Sequence, residues 1–265
     1  VAALPLATKA RIPFIAPFTG AMALRDPFNR MAFHVRASYN DETALIVKQL
    51  TNLGLKKIAV FYQNDAYGKA GLDGVMLALT ALNLKPVAQA TVERNSVDVA
   101  AAVATINAAA PDAVVQISAY KSCAAYIRAA RKAGYGGTFY NVSFVGTQAL
   151  ADELGKDGAG VVVSQVVPSP YNPARPIARD FVEATKKAGS VQPNFSSMEG
   201  YLAAKIFAEG LRRAAKLNRE SLISGLESIS DQSFGGFAVN FSPSNHVASK
   251  FVELSMLTGD GRVRT

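Results

Sequence analysis

Between Asn40 and Val166 the hydrophobic and polar positions follow two rhythms, short apolar runs and longer stretches at helical spacing. Lys56 to Leu79 shows both. Lys57-Ile58-Ala59-Val60-Phe61-Tyr62 is a short β-branched and aromatic run, as expected of a strand buried on both faces. Gln63-Asn64-Asp65-Ala66-Tyr67-Gly68 reads as a polar, Gly-ended turn, and Leu72, Val75, Met76 and Leu79 recur at helical spacing. The rhythm repeats. Strands are expected at 57–62, 86–92, 113–117, 138–142 and 160–164, and helices near 69–82, 97–109, 121–133 and 147–155. Asn40 and Asp41 offer an N-cap to an earlier helix carrying Leu45, Ile46 and Leu50. Strands alternating with helices in this way specify a parallel sheet covered on both faces, with right-handed crossovers.

The flanks are less regular. Leu4 to Ala10 could close a short helix, 12–16 reads as a strand, and Phe33 to Ala37 as an extended piece. Between them Pro17-Phe18-Thr19-Gly20-Ala21 is a turn in which Thr19 can bond the local backbone. After Pro168, Pro170, Pro173 and Pro176 come helices near 176–188, 197–215 and 219–229. The middle one carries Leu202, Ile206, Phe207 and Leu211 on its apolar face. Ser196 and Glu199 have capping-box spacing at its start, which reads Glu199 as a cap rather than a catalytic acid. Stretches 237–241 and 250–257 read as a strand pair joined through Ser242-Pro243-Ser244-Asn245. The three helices need a sheet to cover, and 12–16 is the one convincing strand outside the regular region. The pattern therefore leads us to expect an absent N-terminal segment of several βα units.

Composition narrows the function. With 49% hydrophobic and 18% charged residues, the 265-residue chain can bury a substantial core. The net charge of +8 comes from scattered pairs such as Lys56-Lys57 and Arg212-Arg213, not one stripe, so no nucleic-acid partner is expected. The single Cys123 excludes an internal disulfide and, spaced with Ile127 and Ala130, reads as core. No apolar run reaches membrane-spanning length and no signal peptide is visible, so a chain opening Val1-Ala2-Ala3 reads as a processed or excised product. Walker and dinucleotide glycine patterns are missing, His34 and His246 stand alone, and Ser143 lacks a nucleophile elbow. Asp41-Glu42 and Asp152-Glu153 fit helix starts or surfaces. No catalytic residue, metal or cofactor is expected.

What recurs instead is a set of small, hydroxyl-bearing and aromatic residues just past the strand ends: Thr19, Tyr67, Ser118-Ala119-Tyr120 and Ser143-Phe144. A polar ligand held between apolar walls needs that mixture, at the end of the sheet where open α/β folds bind ligands. Ordinary loop chemistry explains the same residues, with Asn64 and Asp65 as caps and Tyr67 as packing.

Ile15-Ala16-Pro17-Phe18-Thr19-Gly20-Ala21, Val35-Arg36-Ala37-Ser38-Tyr39, Asp65-Ala66-Tyr67-Gly68 and Asn141-Val142-Ser143-Phe144-Val145-Gly146 together resemble the type I periplasmic solute-binding proteins of ABC importers, in the leucine/isoleucine/valine-binding branch. The resemblance covers essentially the whole chain. It implies an α/β fold of two doubly wound parallel-sheet lobes joined by hinge strands, lobe 1 being N-terminally truncated in this chain. Lobe 1 would hold residues 1–36 and 168–240, and lobe 2 residues 37–167 and 241–265. It further implies a periplasmic receptor that closes on a small-molecule ligand and delivers it to a membrane permease. Carried over by motif, the ligand-binding residues are Thr19, Gly20 and Ala21 in lobe 1, and Tyr67, Ala119, Tyr120, Ser143 and Phe144 in lobe 2. Relatives that bind α-amino acids carry a Glu-Gly pair where this chain has Ser143-Phe144. The expected ligand is therefore a small carboxylate or amide-like compound, an aromatic one included, unless another acid supplies the charge that an ammonium needs. The competing classes are a ligand-sensing domain of a receptor or regulator with this fold, and an α/β enzyme.

Overall fold

A computed structural model describes residues 2–265. Contacts divide the chain into two units, one of residues 1–38 and 166–251, the other of residues 39–165 and 252–265. In the first unit, helix α1 (Ala3–Lys9) buries Leu4 in a small cluster with Leu24, Ala32 and Phe14. Strand β1 is only Phe14–Ile15 and pairs in parallel with β2 (Ala32–Phe33). Pro13 and Pro17 flank β1 and cannot donate to a ladder, so the run at 12–16 yields two strand residues.

The second unit opens with α2 (Tyr39–Asn52). Asn40 and Asp41 thus lie in its first turn, where Asp41 favours the helix dipole, rather than capping it from outside. Then follow β3 (Ile58–Gln63), α3 (Ala66–Thr80), β4 (Ala88–Val92), α4 (Ala100–Ala108), β5 (Ala113–Ile117), α5 (Tyr120–Lys132), β6 (Thr138–Asn141), α6 (Thr147–Leu154) and β7 (Val162–Gln165). Helix α3 starts three residues before the apolar spacing suggests. Asp65 caps it, accepting from the backbone N–H of Tyr67 (3.0 Å) and Gly68 (3.1 Å). Tyr67 therefore stands in the first turn of a helix, not in a loop.

Back in the first unit, α7 (Pro176–Ala188) begins on proline and ends at Gly189, whose φ of 72° is left-handed. In α8 (Phe195–Arg213) the cap is Asn194 with Ser197, each side chain accepting from the other's backbone N–H (2.9 and 3.0 Å). Ser196 and Glu199 do not cap it. The buried face is Met198, Leu202 and Ile206, while Phe207 and Leu211 are exposed. Helix α9 (Arg219–Glu227) precedes a hairpin of β8 (Gln232–Phe234) and β9 (Phe237–Val239), turned at Gly235-Gly236. Stretch 237–241 thus pairs backwards and not with 250–257. Residues 241–251 also stay with the first unit, against the expected boundary after 240. Their backbone is tied there by Phe241 N–H to Ile229 O (2.7 Å), Asn240 N–H to Ala248 O (3.0 Å) and Ala248 N–H to His34 O (2.8 Å).

Strand β10 (Glu253–Leu257) returns to the second unit, lies antiparallel to β7, and pairs with β11 (Val263–Arg264). The sheet order is β11-β10-β7-β6-β5-β3-β4, with β4, β3, β5, β6 and β7 parallel. Alternate strand residues feed two cores. Phe61, Val114 and Phe139 pack with α4, α5 and α6 on one face, and Val60, Val115 and Tyr140 with α2 and α3 on the other. Cys123 is fully buried in the first of these.

Candidate functional site

In the second unit the chain runs from β3 outward to β4, then crosses back to β5, so the direction of winding reverses between β3 and β5. The connections leaving neighbouring carboxyl ends diverge there and open a crevice. Tyr67 follows β3, Ala119 and Tyr120 follow β5, and Ser143-Phe144 follow β6 in a 3-10 turn (Ser143–Val145). That turn ends on Gly146, whose φ of 82° a side chain would strain.

The fold brings three of these residues together. The half-buried rings of Tyr67 and Phe144 are 4.5 Å apart at 48°, and Tyr39 of α2 backs Tyr67 at 5.5 Å. Ser143 is anchored by Glu42, a fully buried carboxylate on α2. It accepts from Ser143 N–H (2.8 Å), Ser143 Oγ–H (3.1 Å) and Ser164 Oγ–H (2.5 Å). Ser143 thus turns its backbone N–H and its hydroxyl on the same side chain. Tyr120 turns towards the core on the α5 face, and half-buried Ala119 precedes it as the N-cap of α5. Three polar atoms buried near this edge, Gln116 Oε1, Ser118 Oγ and Asn141 Oδ1, meet no hydrogen-bond partner among the described residues. Buried polar atoms are normally hydrogen-bonded, so each of these is a place for an ordered water, an ion or a solute.

Glu42 and Tyr39 escaped the sequence reading. A buried glutamate among Tyr39, Thr43 and Ile46 carries the same letters as a solvated first-turn acid. The signal was its place on the buried stripe of α2, three residues after Tyr39.

In the first unit the Thr19-Gly20-Ala21 turn is built from the backbone outward. Thr19 Oγ1 accepts from Ala21 N–H (3.2 Å), and the Arg25 guanidinium donates to the carbonyls of Thr19, Arg36 and Ala37 at 3.1–3.3 Å. Arg36 is 1% exposed, 5.2 Å from the Phe18 ring centre and 3.6 Å from the Glu199 carboxylate. Glu199 is thus a charge partner in place of the cap expected of it. His34 and His246, isolated in sequence, are neighbours here: His34 N–H donates to His246 O (2.8 Å). Nε2 of His34 faces Leu24 O at 3.0 Å, and burial with the nearby Arg25 charge pushes its pKa down to about 4. The His246 ring stacks on Phe33 (3.8 Å) and reaches Glu227 (3.2 Å). Among the described residues no group of three His, Cys, Asp or Glu could hold a metal ion. A 610 Å³ cavity of this unit, walled by Pro170, Tyr171, Ala178, Val182 and Pro193, includes none of the expected site residues.

Comparison with known proteins places the chain in a family. The family described as periplasmic binding protein matches residues 1–261. A possible leucine/isoleucine/valine-binding protein from Rhodopirellula baltica superposes with a TM-score of 0.91 at 30% identity, over 99% of this chain and 73% of that one. A substrate-binding periplasmic protein from Ralstonia solanacearum gives 0.89 at 30%, over 97% and 74%. A branched-chain amino acid ABC transporter from Thermus thermophilus with bound valine gives 0.85 at 20%, over 98% and 72%, a likeness of fold. No curated protein matches the chain in sequence. The chain belongs to the periplasmic binding protein family, with the α/β type I fold and mostly parallel sheet of the leucine/isoleucine/valine-binding branch. The family binds solutes outside the cytoplasm and its fold is that of binding proteins. No helix among the described residues is long and apolar enough to cross a membrane.

Proposed function

We propose that this chain is the periplasmic receptor of an ABC importer, capturing a small polar metabolite and delivering it to a membrane permease. Its two units act as the lobes of a clamp, Thr19, Gly20 and Ala21 belonging to one and Tyr67, Ala119, Tyr120, Ser143 and Phe144 to the other. Solute contacts to both favour the closed state, which the permease reads. The observation that carries the reading is the Tyr67–Phe144 pair at the carboxyl edge of the sheet, an apolar wall where open α/β folds bind ligands.

The wall favours a small carboxylate or amide-like solute with a flat or apolar face over leucine. Glu42 is the acid nearest Ser143, but its oxygens already take three donors and it is fully buried, so it serves the turn rather than a solute ammonium. Calorimetry with benzoate, benzamide, L-leucine and L-valine tests both levels. Binding of benzoate or benzamide is expected, with L-leucine weaker. Micromolar or tighter L-leucine overturns the solute class. Failure of all four, with no solute released from denatured protein, overturns the receptor.

A further inference from the structure

One helical turn of α2 reaches Tyr67 and the turn that carries Phe144. Tyr39 lies against Tyr67, and Glu42, three residues on and so on the same face, grips the turn that carries Phe144. Glu42 stands 101 residues from Ser143 and 122 from Ser164 in sequence, yet its carboxylate joins the β6–α6 turn to β7. Full burial of a carboxylate is costly, and an apolar side chain of similar size would fill the volume without that cost. What the acid supplies is geometry: two charge-assisted bonds fix Ser143 by its backbone N–H and hydroxyl together, and a third ties the carboxylate to Ser164.

We propose that Glu42 is a positioning residue for solute capture, its carboxylate fixing the Ser143–Val145 turn and so setting the Phe144 ring against Tyr67. The proposal rests on the reading of that aromatic pair as part of the solute site. Glu42→Gln keeps the shape but not the charge: with its amide oxygen on Ser143 N–H and Ser164 Oγ–H, its NH2 group faces the Ser143 hydroxyl, which must turn from donor to acceptor, and none of the three bonds is charge-assisted any longer. The turn then relaxes and Phe144 leaves Tyr67.

The test needs no solute. The protein is labelled with 3-fluorotyrosine at its nine tyrosines and the Tyr67 resonance assigned through Tyr67→Phe. Glu42→Gln is expected to move that resonance in the direction that Phe144→Leu moves it, and to add nothing in the double variant. Ile106→Val, a core trim on the other face of the sheet, leaves it in place. An unmoved resonance in Glu42→Gln, a shift additive with Phe144→Leu, or an equal shift in Ile106→Val overturns the proposal. Should Glu42→Gln not fold, Ser143→Ala removes one of the three bonds and is read by the same comparisons. In a benzoate titration Glu42→Gln weakens binding about tenfold, again non-additively with Phe144→Leu. If wild type does not bind benzoate while the fluorine pattern holds, the solute class fails and the positioning of Phe144 by Glu42 stands.

Discussion

Gly68, the third residue of α3, gives the sharpest test of how tightly the site is built. A Cβ there would lie 1.9 Å from the carbonyl oxygen of Gln63 and 2.7 and 2.8 Å from its carbonyl carbon and nitrogen. Ordinary contact needs roughly 3.5 Å, so the first turn of α3 must retreat from the end of β3 by about 1.5 Å. The obstacle is backbone and cannot rotate away, which puts the overpacking cost near the top of its usual range, about 3 kcal/mol. The same retreat weakens the Asp65 cap, worth about 1 kcal/mol, since Asp65 bonds Gly68 N–H itself. Better helix propensity returns at most about 1 kcal/mol. Gly68→Ala is therefore expected to destabilise the second unit by about 3 kcal/mol and to displace Tyr67. Gly200, exposed on α8 with nothing within 4 Å of its Cβ position, is the counterpart: Gly200→Ala should stabilise by roughly 1 kcal/mol. Urea unfolding followed by circular dichroism, with both variants beside wild type, reads the difference. A Gly68→Ala midpoint within about 0.5 kcal/mol of wild type would refute the packing argument.

Other consequences are as direct. Burial pushes the Cys123 thiol above its ordinary range, so Cys123 should resist a thiol reagent in native buffer and react at once in guanidinium chloride; rapid native labelling would show that the α5 face opens. For His34 the folded pKa of about 4 lies below the ordinary 6.5, so the unfolded chain takes the proton first. Stability is then full above pH 6.5 and falls by about 3 kcal/mol as pH drops towards 4. His34→Gln, which keeps a donor near Leu24 O, should flatten that limb of the curve, and an unchanged slope would place the acid sensitivity elsewhere. Glu199→Gln removes a charge 3.6 Å from the buried Arg36 guanidinium and should cost the first unit about 3 kcal/mol by urea unfolding; a loss below about 0.5 kcal/mol would mark the pair as incidental.

The doubly wound unit was legible because β3 and β5 are largely apolar runs bounded by polar turns, and strands and helices alternate regularly from Ile58 to Gln165. Element ends were less so. The start of α3 depends on one hydrogen-bonding carboxylate, Asp65, which periodicity does not see, and the start of α8 on Asn194 and Ser197 rather than the more familiar Ser196 and Glu199 letters. The partner of stretch 237–241 was misread because two alternating stretches near a turn look like one hairpin, whereas Gly235-Gly236 makes the tighter one. At the site, Tyr67, Ser143 and Phe144 were visible as polar and aromatic residues past strand ends. Glu42 was not, because its partners are more than a hundred residues away.

The receptor reading meets its most direct test in native mass spectrometry of the freshly purified protein, before and after denaturation, for wild type and Phe144→Ala. The account predicts that wild type carries a releasable small molecule, or takes up benzoate or benzamide when offered, and that Phe144→Ala holds markedly less. A bare wild-type mass under every condition, or equal loading of the two proteins, would contradict it.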